Sequence, residues 1–394
     1  MHEITKWVID NYTDKAIAYR RHFHENPELS WNEFNTAAFI REHLINAGYL
    51  LKSGISGNST CVVLDSGNPG PTIGLRADID ALPIEENNNL EYRSKNKGVM
   101  HSCGHDVHAA TILALSEALA EKRRELKGRV VFFFQQAEED LPGGAKLMVE
   151  EGAANGVDMA FMFHVLSTLE VGKIFVASGS MSCASSAFRI KILGRSGHVN
   201  APQKAINPVP CAVAIVNAIH QIEGKKTDPH EVVSTSVTYI NCGKKRALNI
   251  IPDEVVIGGN IRTLKDETLQ TAIEWIRKYS SSIAEAYDCG ADIEIESAYP
   301  PVVNDEKAVS FILKAANDMG LENEMQTVSL GGEDFSYFLQ DRPGAEVRIG
   351  FWNSEDIPTP APHHSKEFML DDVNGIPIAL GLMCESYLNA SENI

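Results

Sequence analysis

The 394-residue sequence contains no run of roughly 18 consecutive apolar residues, so no helical membrane span is expected. It has no C-x-x-C pair either. Its seven cysteines, at positions 61, 103, 183, 211, 242, 289 and 384, are odd in number and widely scattered. That pattern argues against a disulfide framework and fits a cytoplasmic location. Positive charge is scarce: Lys+Arg 35 against Asp+Glu 53 leaves a formal net charge of −18, a field that repels phosphate backbones and anionic lipids. Nucleic acid and membrane partners are therefore not expected, and any site for an anionic substrate must draw on a local cation. Internal repeats and low-complexity stretches are missing. The segment Gly331-Gly332-Glu333-Asp334 lacks the Gly-Lys-Ser/Thr ending of a phosphate loop and reads as backbone that approaches substrate ahead of a helix. The first 23 residues mix charges among apolar positions, which reads as a helix and not as a signal peptide.

What is present is an ordinary globular composition, 44% apolar and 22% charged. A single core rarely serves more than about 250–300 residues, so two domains are expected. Helical spacing marks residues 2–24 and 33–48, and apolar segments at 61–64 and 72–75, joined by Gly67-Asn68-Pro69-Gly70, suggest a hairpin. Helix and strand then alternate: helix 105–123, strand 129–135, helix 142–151, strand 158–163, a pattern that argues for a mainly parallel sheet covered by helices. From Ser186 the order becomes β-α-β-β-α-β, which is ferredoxin-like, and after about residue 300 the earlier character returns. The expected fold is thus α/β: a mixed, mainly parallel sheet forms a catalytic domain flanked by helices (1–180 and 298–394). A ferredoxin-like α+β lid or dimerisation domain (181–297) is inserted into it.

Polar residues placed just after apolar strands are the ones to examine, because ligands collect beyond the carboxyl ends of strands in open α/β sheets. Three segments qualify: Arg76-Ala77-Asp78-Ile79-Asp80 after one strand, Gln136-Ala137-Glu138-Glu139-Asp140 after another, and His164 directly after a third. A fourth feature is His101-Ser102-Cys103-Gly104-His105-Asp106-Val107-His108, where thiolate, imidazole and carboxylate together suit zinc or another borderline divalent ion. Adjacent Glu138 and Glu139 repel one another unless a cation sits beside them. One can then ligate while the other takes a proton as general base.

These segments, with GRSGH, NIIPDEVVIGGNIRT, GGEDFSYFL and HHSKEF, resemble in order and spacing the aminoacylase/carboxypeptidase superfamily of co-catalytic metallohydrolases. Within it they are similar to the branch of hippurate hydrolases, indole-acetyl-amino-acid hydrolases and N-acetyl-diaminopimelate deacetylases. The resemblance covers roughly residues 15–385. It implies two divalent metal ions per subunit, Zn or Mn with Co or Ni as substitutes, held by Cys103 as the bridge and by His105, Glu139, His164 and a late histidine. His363 and His364 are adjacent, and the spacing to Phe368 favours His364. Glu138 would be the general base and Asp78 a carboxylate behind the ligands. His198 would stabilise the oxyanion, reaching in from the partner of a homodimer, and Asn249 and Arg262 would bind the substrate carboxylate. The implied reaction is hydrolysis of an N-acyl L-amino acid, with a dipeptidase or carboxypeptidase on the same site as the alternative. A cysteine hydrolase using Cys103 and a silent metal-binding protein are more distant rivals. Gln136 stands where the relatives usually carry proline, and Asn200-Ala201-Pro202-Gln203 follows His198 where they often carry Met-Pro-His.

Overall fold

The periodicities in the sequence become two main sheets, of seven and four strands, each with its own apolar core. The computed structural model describes residues 1–243, 247–297, 299–355 and 357–394. Residue 298, where the second catalytic segment is expected to begin, lies outside the described residues. Helices α1 (Glu3–Glu25) and α2 (Phe34–Asn46) precede strands β1 (Thr60–Asp65) and β2 (Thr72–Asp78). Then come α3 (His105–Glu121), β3 (Arg129–Gln135), α4 (Gly144–Glu150), β4 (Met159–Glu170) and β5 (Lys173–Phe175). The middle of the chain holds β6 (Gly179–Ser180), β7 (Ala184–Leu193), β8 (Gly197–His198), α5 (Pro208–Ile219) and β9 (Val233–Cys242). It continues through β10 (Ile250–Ile251), β11 (Glu254–Thr263), α6 (Asp266–Ala286) and β12 (Gly290–Ser297). The last part comprises β13 (Val303–Asn304), α7 (Glu306–Met319), β14 (Glu322–Asn323), α8 (Ser336–Leu339), β15 (Gly344–Trp352) and α9 (Asp372–Asn393).

Two compact units result. The first is Met1–Met181, Val302–Thr327 and Asp334–Ile394; the second is Ser182–Pro301 with Val328–Glu333. In the first unit a seven-stranded sheet has the order β1-β3-β2-β4-β15-β5-β14. Strands β3, β2, β4 and β15 are mutually parallel. They are the apolar runs of the sequence, such as RVVFFFQ and MAFMF, because a parallel strand covered on both faces has no polar side to alternate with. Helix α3 is buried along nearly its whole length, packed on this sheet.

Two local expectations are corrected. Segments β1 and β2 do not form a hairpin: β3 lies between them, antiparallel to β1 and parallel to β2. Strand β2 is buried at almost every position, so it needs a neighbour on each side, and β1, with Val63 exposed, takes the edge. Strand β4 also runs past residue 163, because Arg348 and Ile349 of β15 continue the pairing opposite His164 and Val165. His164 is therefore inside a strand and not beyond its end.

The second unit contains the β7-α5-β9-β11-α6-β12 succession, with sheet order β12-β7-β11-β9 and every pair antiparallel. This is the ferredoxin-like arrangement. Leu269, Ala272, Ile273, Ile276, Ser280 and Ala284 recur at helical spacing on α6 and are buried. Ile190, Ile192 and Ile257 from the sheet share their core.

Candidate metal centre and active site

Strand β2 delivers Asp78 and, just past its end, Asp80. The turn after β3 carries Glu138 and Glu139, β4 carries His164, α3 begins with His105, and the loop before α9 holds His363 and His364. Cys103 enters through a glycine: Gly104 has φ 91, and a Cβ there would lie 2.2 Å from Val165 Cγ2. Only glycine allows both that left-handed turn and that close approach.

These elements bring the donors together. Atoms of Cys103, His105 and His164 lie within 4.8 Å of one another, as do those of Cys103, Glu139 and His364, and those of His105, Glu138 and Glu139. Cys103 belongs to two of the groups. His364 has φ 61 and donates its N–H to Ser102 O at 2.9 Å, which turns successive imidazoles apart. His364 Nε2 then lies 3.2 Å from Glu139 Oε1, while His363 Nδ1 lies 3.8 Å from Cys103 Sγ and its ring packs on Phe368.

The tautomers follow from the partners. His105 Nδ1 faces two acceptors, Asp80 O and Asp80 Oδ1, each at 3.1 Å, so in the neutral ring it carries the proton and leaves the Nε2 lone pair for a ligand. His164 Nδ1 donates to Val165 O at 2.8 Å, which turns Nε2 toward Cys103 Sγ at 3.7 Å. His105 Nε2 is buried and has no hydrogen-bond partner among the described residues. Buried polar atoms of this kind are rare unless something absent from a protein-only description satisfies them. Burial alone would lower the His105 pKa, but Asp78, Asp80 and Glu139 carry it up to about 10. Burial, with Glu139, Glu138 and Asp78 beside it, pushes the Cys103 thiol well above its ordinary value. Excess negative charge, a lone pair aimed inward and a thiol shared by two donor groups fit a pair of divalent cations.

Among the contributors, His108 is legible in the sequence as a supporting group, whereas Asp80, Arg76 and Asp334 are given no role there. Asp80, and not Asp78, hydrogen-bonds His105, and Asp80 Oδ2 also accepts from Glu139 N at 3.0 Å. Asp78 Oδ2 lies 3.7 Å from His105 Nε2, and its other oxygen accepts from His108 Nδ1 at 2.7 Å. His108 Nε2 in turn accepts from Val165 N at 3.1 Å, so His108 supports the site with both nitrogens engaged. Arg76, 1% exposed, donates to Asp78 at 2.7 Å, Asp334 at 2.6 Å and Gln135 at 2.8 Å. Burial raises the Asp78 carboxyl, yet His105, His108 and Arg76 together hold it well below the usual range. The strand period of two was the available signal: Arg76 and Asp78 share one face of β2. Asp334, from the GGED segment, is a buried partner of Arg76, Gln135 and Ala145 N.

The other three expected residues belong to the second unit. His198 Nδ1 accepts from Asn200 N at 3.2 Å, which puts the proton on Nε2, and the Asn249 amide lies 3.4 Å from that nitrogen. Arg262 donates to Asn260 Oδ1 at 3.0 Å and to Leu330 O, and no carboxylate among the described residues pairs with it.

With this geometry in view, the model of "Peptidase family M20/M25/M40" matches residues 74–377. The chain belongs to this family. It is 38% identical to Thermostable carboxypeptidase 1 of Saccharolobus solfataricus over 94% of this chain and 92% of that one. It is also 38% identical to an N-acyl-L-amino acid amidohydrolase of Geobacillus stearothermophilus, over 77% of this chain and 81% of the relative. A solved dinuclear metal-binding M20 peptidase from Bacillus subtilis superposes with a TM-score of 0.85 at 31% identity, covering 98% of this chain and 100% of that one. The chain is therefore a hydrolase of amide bonds, and no helix among its described residues is long and apolar enough to cross a membrane.

Replacing Arg76 by Ala leaves Asp78 and Asp334 buried without their shared cation. The expected loss of stability is about 3–5 kcal/mol, the usual cost of stranding a buried charge. Urea unfolding followed by far-UV circular dichroism measures it, and an unchanged midpoint would remove Arg76 from the support of the site.

Proposed function

We propose that this protein is an aminoacylase that hydrolyses N-acyl L-amino acids, N-acetyl derivatives above all, to a carboxylate and a free amino acid. The observation that carries this reading is that His105 Nε2 lies 4.0 Å from Glu138 Oε2 and 4.0 Å from Glu139 Oε1. Two neighbouring carboxylates thus meet the donor cluster together, one suited to ligation and one to proton transfer. Cys103, His105, Glu139, His164 and His364 would hold two divalent ions, zinc or manganese, with cobalt or nickel as substitutes. Such ions supply Lewis acidity to a scissile carbonyl and to water.

Glu138 then works as the general base, taking the proton from water and returning it to the leaving amine. It is 7% exposed, which limits competition from bulk solvent. Asp78 acts through His108 and Arg76 to fix the end of β2, just ahead of Asp80. His198, with its proton on Nε2, is suited to donate to the oxyanion of the tetrahedral intermediate. Arg262, a cation without a carboxylate partner among the described residues on a chain of net charge −18, suits the substrate carboxylate, with Asn249 assisting. The same reading includes a cytoplasmic location and a homodimer built through residues 181–297, in which His198 serves the partner's site. The relative named a carboxypeptidase favours a second reading, cleavage of peptides by the same groups.

Three outcomes follow. Glu138→Gln should abolish turnover of N-acetyl amino acids while metal content by emission spectroscopy stays near wild type; loss of metal with activity would exchange the roles of Glu138 and Glu139. A parallel panel of dipeptides separates the two readings. Arg262→Ala should raise KM for free-carboxylate substrates about 10- to 100-fold more than for their amides, the range of a charge-assisted pair. An equal rise for both classes would place the carboxylate elsewhere. Finally, His198→Ala and Glu138→Ala chains, each inactive alone, should regain activity when mixed under verified subunit exchange. No recovery would mean that His198 acts within its own chain.

A further inference from the structure

The turn that carries Glu138 leaves β3 through Gln136 and Ala137. Ala137 is buried at φ 52, a left-handed conformation that residues with a Cβ rarely adopt. Something must hold it there, and the structure supplies the means. Ala137 N donates to Glu33 Oε1 at 2.8 Å, and Ala137 O accepts from Gly144 N at 3.0 Å. Glu33 is 0% exposed, and its second oxygen accepts from Asn58 Nδ2 at 3.0 Å. Asn58 N donates to Gln136 Oε1 at 2.6 Å, and Gln136 N donates to Ser59 Oγ at 3.2 Å. A proline at 136 could make neither of the two Gln136 bonds. The peptide units ahead of Glu138 are thus gripped by residues 33, 58 and 59. The same segment grips the ligand side as well, since Ser30 Oγ donates at 2.7 Å to Asp80 Oδ2, the oxygen that receives the Glu139 N–H.

A carboxylate is a costly choice for this place. Burial, with Asp80 nearby, raises the Glu33 pKa to about 7. An apolar side chain would fill the volume without the desolvation cost. What it could not do is accept the Ala137 N–H.

We propose that Glu33 is a positioning residue for Glu138: its carboxylate clamps the Ala137 peptide in the left-handed turn and so aims the neighbouring side chain at the reaction centre. The inference rests on Glu138 being the general base. The family motif around Glu138 names the base, whereas the clamp comes from an element about a hundred residues earlier in the chain.

The test compares Glu33→Ala, which removes the acceptor, with Glu33→Gln, which keeps one. Three quantities are measured: kcat and KM on the best-hydrolysed substrate of the panel, metal content, and amide hydrogen exchange of the peptide spanning 136–140. Glu33→Ala should lower kcat about 10- to 100-fold with KM changed less than about threefold and metal retained, as for a displaced catalytic group. Exchange at 136–140 should quicken while the rest of the sheet stays protected. Glu33→Gln should keep most of the rate and the protection. If Glu33→Ala does not yield folded protein, Glu33→Asp takes its place, because its carboxylate is one methylene short of the Ala137 N–H. Wild-type kcat with unchanged exchange in the acceptor-free variant would overturn the proposal, as would equal losses for Gln and Ala. If the wild type hydrolyses nothing in the panel, the aminoacylase reading fails, and the exchange comparison still decides whether the clamp exists.

Discussion

The guanidinium of Arg76 touches both Asp78 and Asp334, and without it the two carboxylates could not be buried side by side beneath the site. The same requirement recurs around the donor cluster. Asp106 is matched by Arg20 at 2.9 Å and His24 at 2.7 Å, and Asp80 by His105 at 3.1 Å. Each of these carboxylates has a cationic partner within the chain and serves as scaffold. Glu138 and Glu139 stand together at the centre, with His105 4.0 Å from both and His364 3.2 Å from Glu139. The pairing of the scaffold carboxylates is what leaves the negative charge at the centre available for divalent cations.

Aiming the side chains falls to a few backbone positions. The strands contribute through their period of two, which sends Arg76 and Asp78 to one face of β2, and through parallel pairing, which keeps His164 inside β4 opposite Arg348. Left-handed residues do the rest. Gly104 swings Cys103 and His105 to the centre from either side of one turn, Ala137 presents Glu138, and His364 separates two adjacent imidazoles. Of these only Gly104 has the conformational freedom to adopt the turn at little cost. The other two are held by specific hydrogen bonds, to Glu33 and to Ser102.

That division explains how far the sequence could be read. Cys103, His105, Glu138, Glu139, His164 and His364 lie in short dense segments whose residue types announce their chemistry, and they do meet in space. The mainly parallel sheet and the ferredoxin-like order follow from hydrophobic period and element succession, which are local properties. The misplaced hairpin and the overlooked supports depend on long-range partners. The Arg76–Asp334 pair is separated by 258 positions, and whether β1 meets β2 or β3 is decided by which strand most needs two neighbours. Short-range turn chemistry at Gly67-Asn68-Pro69-Gly70 carries no information about that choice.

The setting of Cys103 bears on its rival role as a nucleophile. A nucleophilic cysteine needs positive charge or a helix N-terminus that stabilises its thiolate in the absence of any other cofactor. Cys103 does lie just ahead of α3, but burial and the carboxylates of Glu139, Glu138 and Asp78 outweigh that and push the thiol the other way, and the nearest imidazoles are His164, 3.7 Å away, and His363, 3.8 Å away. Burial, with the neighbouring histidines next, holds both imidazoles below their ordinary pKa, so neither offers a standing charge. A cation at the centre would change both terms together, stabilising the Cys103 thiolate as a ligand and offsetting the repulsion between Glu138 and Glu139. Once ligated, the sulfur is no longer available to attack a carbonyl. The arrangement that makes Cys103 a poor nucleophile by itself is therefore one that suits its thiolate to ligation.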